Sequence, residues 1–203
     1  MVAEVLVAPW AEPAPPPYSG RLLTAATMAA LPEDGWLYEL VGGHLVRMPP
    51  PNRRHGFLEL EIGAMLRAHV KPCQLGRVYV GEAGFNLTLP GEPVETVLGA
   101  DVAFVRADRL LPDDANDSYG IGAPDLAVEI ASPSQFRPEM GAKAWLWLQR
   151  GTRLVWIVWP ARRQVDVWTP DHDEPHTLNS GDTLDGAEVL PGFTYPLIDL
   201  FTG

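Results

Sequence analysis

The chain has 203 residues, 46% of them apolar, and a formal net charge of −11. That length and apolar content suit a single domain with its own core, and the acidic balance works against a strong, sequence-independent grip on nucleic acid, which depends on Lys and Arg neutralising phosphates. A single cysteine, Cys73, excludes an intramolecular disulfide and any multi-cysteine zinc site.

The chain opens without a basic segment, carries Glu4 early and runs into prolines, so it does not read as a signal peptide. No apolar stretch approaches the ~20 residues of a membrane span, and a cytoplasmic protein with no membrane partner is expected. Residues 1–20 read as a proline-rich flexible arm, because five prolines between Ala8 and Gly20 leave little apolar periodicity. Residues 21–203 read as one domain.

Within that domain, Thr24 caps a short helix through Leu31, and Trp36–Leu40 and His44–Met48 form a hairpin around Val41-Gly42-Gly43. Asn52 caps a helix over 53–70 whose buried stripe is predicted as Phe57, Leu58, Ile62, Met65, Leu66 and His69. Arg77–Val80 and Phe85–Leu89 read as two strands paired across a glycine-bearing turn. Asp101–Val105 is a short strand, 111–123 a polar loop, and Asp125–Ala131 a further strand. Pro138–Arg150 reads as a helix stopped at Gly151, and Leu154–Trp159 with Gln164–Trp168 as a strong hairpin. The acidic stretch 171–188 reads as loop with one strand, and Phe193–Phe201 as a tail that packs back.

Strand alternation puts Leu126, Val128 and Ile130 on one face of their strand and Asp125, Ala127, Glu129 and Ala131 on the other. Glu129 therefore projects between two alanines, which leave room for an ion and a substrate; the competing reading is an exposed strand glutamate. Asp125 cannot share a cation with Glu129, because four strand residues separate them by roughly 13 Å while ligands lie about 2.0–2.6 Å from an ion. Asp101 begins a different strand and can meet Glu129 across the sheet. Lys143 falls inside the buried stripe Met140, Ala144, Trp147 and Leu148, although Glu139 stands four residues earlier and offers an ordinary surface ion pair.

Glu39 shares a strand face with Leu37 and Val41, an awkward place for an unpaired carboxylate; it either completes the metal site or pairs with Arg47. His44, His55 and His69 form no ligand pattern, and Pro175 disqualifies His172 and His176 as a helical pair. No nucleophile elbow or phosphate loop is present. Arg53, Arg54, Arg106, Arg109, Arg162 and Arg163 are candidates for a local basic rim.

The order Tyr38-Glu39-Leu40-Val41-Gly42-Gly43, Asp101-Val102-Ala103-Phe104-Val105, Gly122-Ala123-Pro124-Asp125-Leu126, Glu129-Ile130-Ala131-Ser132-Pro133-Ser134, Lys143 and Trp156-Ile157-Val158 resembles the Uma-type family of restriction endonucleases. That family belongs to the PD-(D/E)XK nuclease superfamily, and the likeness runs from about Leu22 to Phe201. It implies an α/β (α+β) restriction-endonuclease-like core, a mixed central sheet flanked by helices, here with an added N-terminal β-hairpin. It also implies Asp101 and Glu129 as metal ligands, with the Ile130 backbone carbonyl, for Mg2+ or Mn2+. Lys143 matches a lysine moved from strand to helix. Ala100 stands where a proline is usual, Ala131 where the superfamily has its lysine, and Trp159 where an aspartate is common. Only the second bears on chemistry, since it makes activity depend on Lys143 reaching the site.

The expected function is a magnesium-dependent endonuclease that hydrolyses DNA phosphodiester bonds, with Asp101, Glu129, Lys143 and Glu39 as candidate catalytic residues. The alternative is a non-catalytic nucleic-acid-binding or protein-interaction module that retains the nuclease fold. A homodimer is expected only from the symmetry of palindromic DNA.

Overall fold

The computed structural model describes residues 8–110 and 119–202. In chain order the elements are β1 (Glu12–Pro13), α1 (Ala25–Ala29), β2 (Leu37–Val41), β3 (His44–Met48), α2 (Arg53–Val70), β4 (Gly76–Asn86) and β5 (Val97–Arg106). They continue with β6 (Gly120–Ile121), β7 (Leu126–Ile130), α3 (Arg137–Gln149), β8 (Leu154–Trp159), β9 (Gln164–Trp168), β10 (His176–Asn179), β11 (Thr183–Asp185), β12 (Thr194–Pro196) and α4 (Leu197–Phe201). The architecture is α+β: among the described residues one mixed ten-stranded sheet runs β1-β3-β2-β5-β7-β8-β9-β10, with β4 against β5 and β6 against β4. No helix of the described residues is long and apolar enough to cross a membrane.

Two helices sandwich the sheet, and the alternation of β7 and β8 decides which side chains each helix meets. Leu58, Ile62, Leu66 and Val70 of α2 pack on Leu126, Val128, Ile130, Trp156 and Val158, with Leu197, Leu200 and Phe201 of α4 closing that core. Met140, Ala144, Trp147 and Leu148 of α3 pack on the opposite face against Ala127, Ala131, Val155 and Ile157. Burying each large apolar side chain contributes about 1.5–3 kcal/mol, so truncating Trp147, which sits in the centre of the α3 layer, would cost about 3–5 kcal/mol. Phe57, predicted in the α2 stripe, is instead 40% exposed.

The structure differs from the sequence reading in three further places. The two strands expected to pair across a turn at Gly81 are one continuous strand, β4, because both halves pair with β5; a register shift between Val80 and Ala83 absorbs Gly81 and Glu82 as a bulge. Gly81 and Glu82 both take positive φ, 80° and 57°. The 171–188 stretch holds two strands, since β10 extends the sheet and β11 pairs with β12. From Ala8 onward, the segment read as a flexible arm lies on the sheet: Glu12 and Pro13 pair with Arg47 and Val46, and Ala8, Trp10 and Ala14 are buried. Apolar contacts from Trp10 and Ala14 compensate for the weak periodicity that suggested a free tail. The loop reading of 111–123 falls partly on residues 111–118, outside the described residues.

A fork in the sheet prepares the site. β4 follows β5 along one edge for its whole length, while the other edge is shared: β2 pairs with it only at Val97, and β7 only at Val102–Phe104. Between those pairings, Gly99 to Asp101 have no neighbouring strand on that edge. Their backbone groups need partners, because buried N–H and C=O groups left unpaired are costly.

Candidate active site

Side chains fill the fork. Glu39 Oε1 accepts from Gly99 N–H at 3.0 Å, and Lys143 Nζ donates to the Gly99 carbonyl at 3.3 Å. Ile130 N–H donates to Asp101 Oδ2, which ties β5 to the end of β7. The same lysine lies 2.9 Å from Glu39 Oε1 and 2.8 Å from Glu129 Oε2. Glu129 Oε1 accepts from Trp147 Nε1 at 2.8 Å, and Glu39 Oε2 from Trp10 Nε1 at 2.9 Å.

Lys143, buried on the inner face of α3, pairs with Glu129 and not with Glu139, the surface partner considered from sequence, whose carboxylate accepts from Phe136 N–H at 3.0 Å at the start of α3. Ser132 N–H donates to Gln135 Oε1, and Gln135 Nε2 to the Trp10 carbonyl, so the Ser-Pro-Ser turn between β7 and α3 is fastened to the N-terminal segment. Asp125 is fully buried, accepts from Arg106 N–H and lies 2.8 Å from Arg109 Nη1; it anchors its strand.

Two residues that sequence reasoning missed complete the cluster. The bulge aims Glu82 at Asp101, and His55 enters from the first turn of α2. One ligand atom from each of His55, Glu82 and Asp101 lies within 4.8 Å of the others; Glu129 borders this set without belonging to it. His55 Nε2 stands 3.0 Å from Asp101 Oδ1 without the alignment of a good hydrogen bond. That side-by-side placement suits two ligands facing one ion, and an imidazole with two carboxylates is a competent donor set for a divalent cation. Extending the buried spacing Leu58, Ile62, Leu66 back one turn lands on His55, a signal the sequence did contain. Nothing periodic marks Glu82.

The charges explain the protonation pattern. Burial pushes Glu129 up to about 8 against the pull of Lys143. Burial, then the charge of Asp101, holds Glu82 well above the usual carboxylate range. Burial also opposes ionisation of Asp101, yet its interactions with His55 and Glu82 leave it below its ordinary value. For His55, burial favours the neutral ring, but the neighbouring Asp101 outweighs it and the net shift is upward. Burial alone would lower Lys143; Glu129 and Glu39 reverse this, so it stays cationic.

His55, Glu82, Asp101, Glu129, Ile130 and Lys143 line one cavity of about 400 Å³ that Trp10 also walls. Glu39 does not line it. Of the four candidate catalytic residues, three reach the cavity, and Glu39 stands behind Lys143 as its second counter-ion; Arg47, the partner considered for it, pairs with Glu12 and lies over the Trp36 ring. Lys143 donates to Glu129 Oε2 and to the Gly99 carbonyl, and holds Glu39 as an ion pair.

Comparison with known proteins agrees with this architecture. A solved structure described as a putative nuclease belonging to DUF820 from Anabaena variabilis superposes with a TM-score of 0.73, at 22% identity, over 88% of this chain and 97% of that one. At that identity the likeness speaks to fold alone. The search of curated proteins finds no match. A family model, Uma2, described as "Putative restriction endonuclease", matches residues 25–200, and with nearly the whole chain covered the protein belongs to that family.

Proposed function

We propose that the protein is a metal-dependent endonuclease that hydrolyses DNA phosphodiester bonds in the cavity beneath the N-terminal segment. The observation that supports this reading is the convergence of His55, Glu82 and Asp101 on one point beside the Glu129–Lys143 pair. His55, Glu82 and Asp101 are the proposed holders of magnesium or manganese, with Glu129 and the Ile130 carbonyl at the border. A bound cation would supply Lewis acidity toward a phosphate oxygen.

The protein's own groups do the rest. Ile130 N–H keeps Asp101 aimed while His55 and Glu82 favour its ionised form, and the Gly81-Glu82 bulge delivers a carboxylate that gives up its proton when positive charge arrives. Lys143 acts as a positioning residue: it fixes Glu129, which Trp147 holds from the other side. A cavity-facing carboxylate with raised proton affinity is a suitable acceptor for the proton of an attacking water.

Plasmid and short DNA substrates incubated with magnesium or manganese test the reading. Cleavage by the wild type and its loss in Asp101→Ala, Glu82→Ala and Glu129→Ala are expected. Cleavage unchanged in all three variants would assign the activity to another source. A metal-induced rise in melting temperature with no cleavage of any DNA would favour the non-catalytic module.

A further inference from the structure

Next to the acidic cavity lies a second pocket of about 170 Å³, and the two share Asn52, His55, Ile130, Ser132 and Gln135 along their rims. Among the described residues lining the second pocket there is no carboxylate, in a chain whose net charge is −11. Arg54, Arg162 and His55 supply its basic groups, beside the neutral polar Asn52, Ser132 and Gln135. Arg54 and Arg162 are exposed, and Arg54 is steadied by donating to the Pro160 carbonyl at 3.0 Å. Arg162 lies over the Trp159 ring, 5.5 Å from its centre. At the pocket stands Phe136, 61% exposed, an apolar ring with no packing reason to face water.

We infer that this pocket holds the nucleotide adjoining the scissile phosphate of a single-stranded substrate. The inference rests on the nuclease reading and names its substrate class. Arg54 and Arg162 grip the neighbouring phosphate, for which a planar guanidinium is the preferred donor. Phe136 offers its face to the base, the sequence-tolerant stacking typical of single-strand grooves.

Shape and charge together select a single strand. The acidic cavity, at about 400 Å³, is at the small end of ligand pockets, which run from about 300 to 1,000 Å³, and Asp101 and Glu129 at its floor are each only 3% exposed. A flexible strand can turn a phosphate down into it and lay the next nucleotide over Ile130 into the basic pocket. A stiff duplex makes that turn only at the cost of a sharp bend. The net charge of −11 also weighs against the long basic track that a duplex needs, whereas a single strand needs only this short one.

The test is fluorescence anisotropy of a short labelled oligo-dT on the full chain, in calcium to prevent turnover, with unlabelled duplex as competitor. Arg54→Ala/Arg162→Ala is expected to weaken binding at least about tenfold and to lower the salt slope by roughly 0.7, for the one phosphate that the two arginines no longer neutralise. Phe136→Ala is expected to weaken it and Phe136→Tyr to preserve it, with melting temperatures unchanged because all three side chains are exposed. Wild-type binding in the variants, no binding by the wild type, or a duplex that competes as well as the single strand would each overturn the inference. Duplex cleavage that depends on Asp101 but not on Arg54 and Arg162 would leave the nuclease reading standing without this pocket. Oligonucleotide binding through the pocket without cleavage would do the reverse.

Discussion

Glu39 and Glu129 close on one ammonium: their carboxylates lie 2.9 and 2.8 Å from Lys143 Nζ, and all three side chains are buried. Removing one partner of a buried pair leaves an uncompensated charge, a loss of about 3–5 kcal/mol. Lys143→Met should therefore destabilise the fold by about that amount in urea denaturation and abolish cleavage. Glu39→Gln combined with Lys143→Met should recover part of the stability and none of the activity. A Lys143→Met protein as stable as the wild type would show that the ammonium does not compensate the two acids.

Much of this arrangement is legible in the residues themselves. Helix α2 begins where predicted because Asn52 accepts from the N–H groups of Arg54 and His55, a local interaction between near neighbours in sequence. β7 to β9 are equally plain, being short apolar runs with clear alternation. What the sequence hides depends on interactions between distant segments. Gly81-Glu82 looks like a hairpin turn until β5 is known to pair with both halves of β4, and only then does Glu82 turn toward Asp101. The proline-rich segment looks free because its burial depends on Trp10 finding Glu39, a partner on another strand.

Gly99 tests the bulge. A Cβ at this position would lie 2.9 Å from Glu82 Oε2 and 3.3 Å from the Glu82 backbone oxygen. The carboxylate end can swing away, so Gly99→Ala should fold, yet it pushes one proposed ligand off the point shared with His55 and Asp101. Manganese titration followed by melting temperature should show affinity reduced about 10–100-fold, with the melting temperature in EDTA lowered only slightly. Unchanged affinity would remove Glu82 from the proposed ligand set.

The pH dependence follows from the direction of the shifts. Glu129, Glu82 and His55 all bind protons more tightly folded than unfolded, so folding takes up protons and stability falls as pH rises. For Glu129 that window runs from its unfolded value near 4.5 to about 8. In EDTA the melting temperature should decline across this range. Saturating manganese should reverse the decline, because a cation replaces the protons and binds more tightly as they leave. Glu129→Gln should flatten the curve measured in EDTA. A melting temperature in EDTA that rises steadily from about pH 5 to 8 would contradict the protonation pattern of the cluster.

Trp10 connects the N-terminal segment to the chemistry. Its indole N–H satisfies Glu39 Oε2, its carbonyl accepts from Gln135, and its ring is buried against the α3 layer. Trp10→Phe keeps most of the apolar packing and deletes one hydrogen bond to a buried carboxylate, a loss of about 1–3 kcal/mol. The freed Glu39 oxygen should then compete for Lys143 and loosen its hold on Glu129, so cleavage should fall by more than substrate binding does. Limited chymotrypsin digestion supplies the structural control. If residues 8–20 are held as part of the sheet, cleavage after Trp10 and Tyr18 should be slow in the wild type, and cleavage after Tyr18 should speed up in Trp10→Phe. Rapid cleavage at both sites in the wild type would mean that the segment detaches in solution and that Glu39 is held by Lys143 and Gly99 alone.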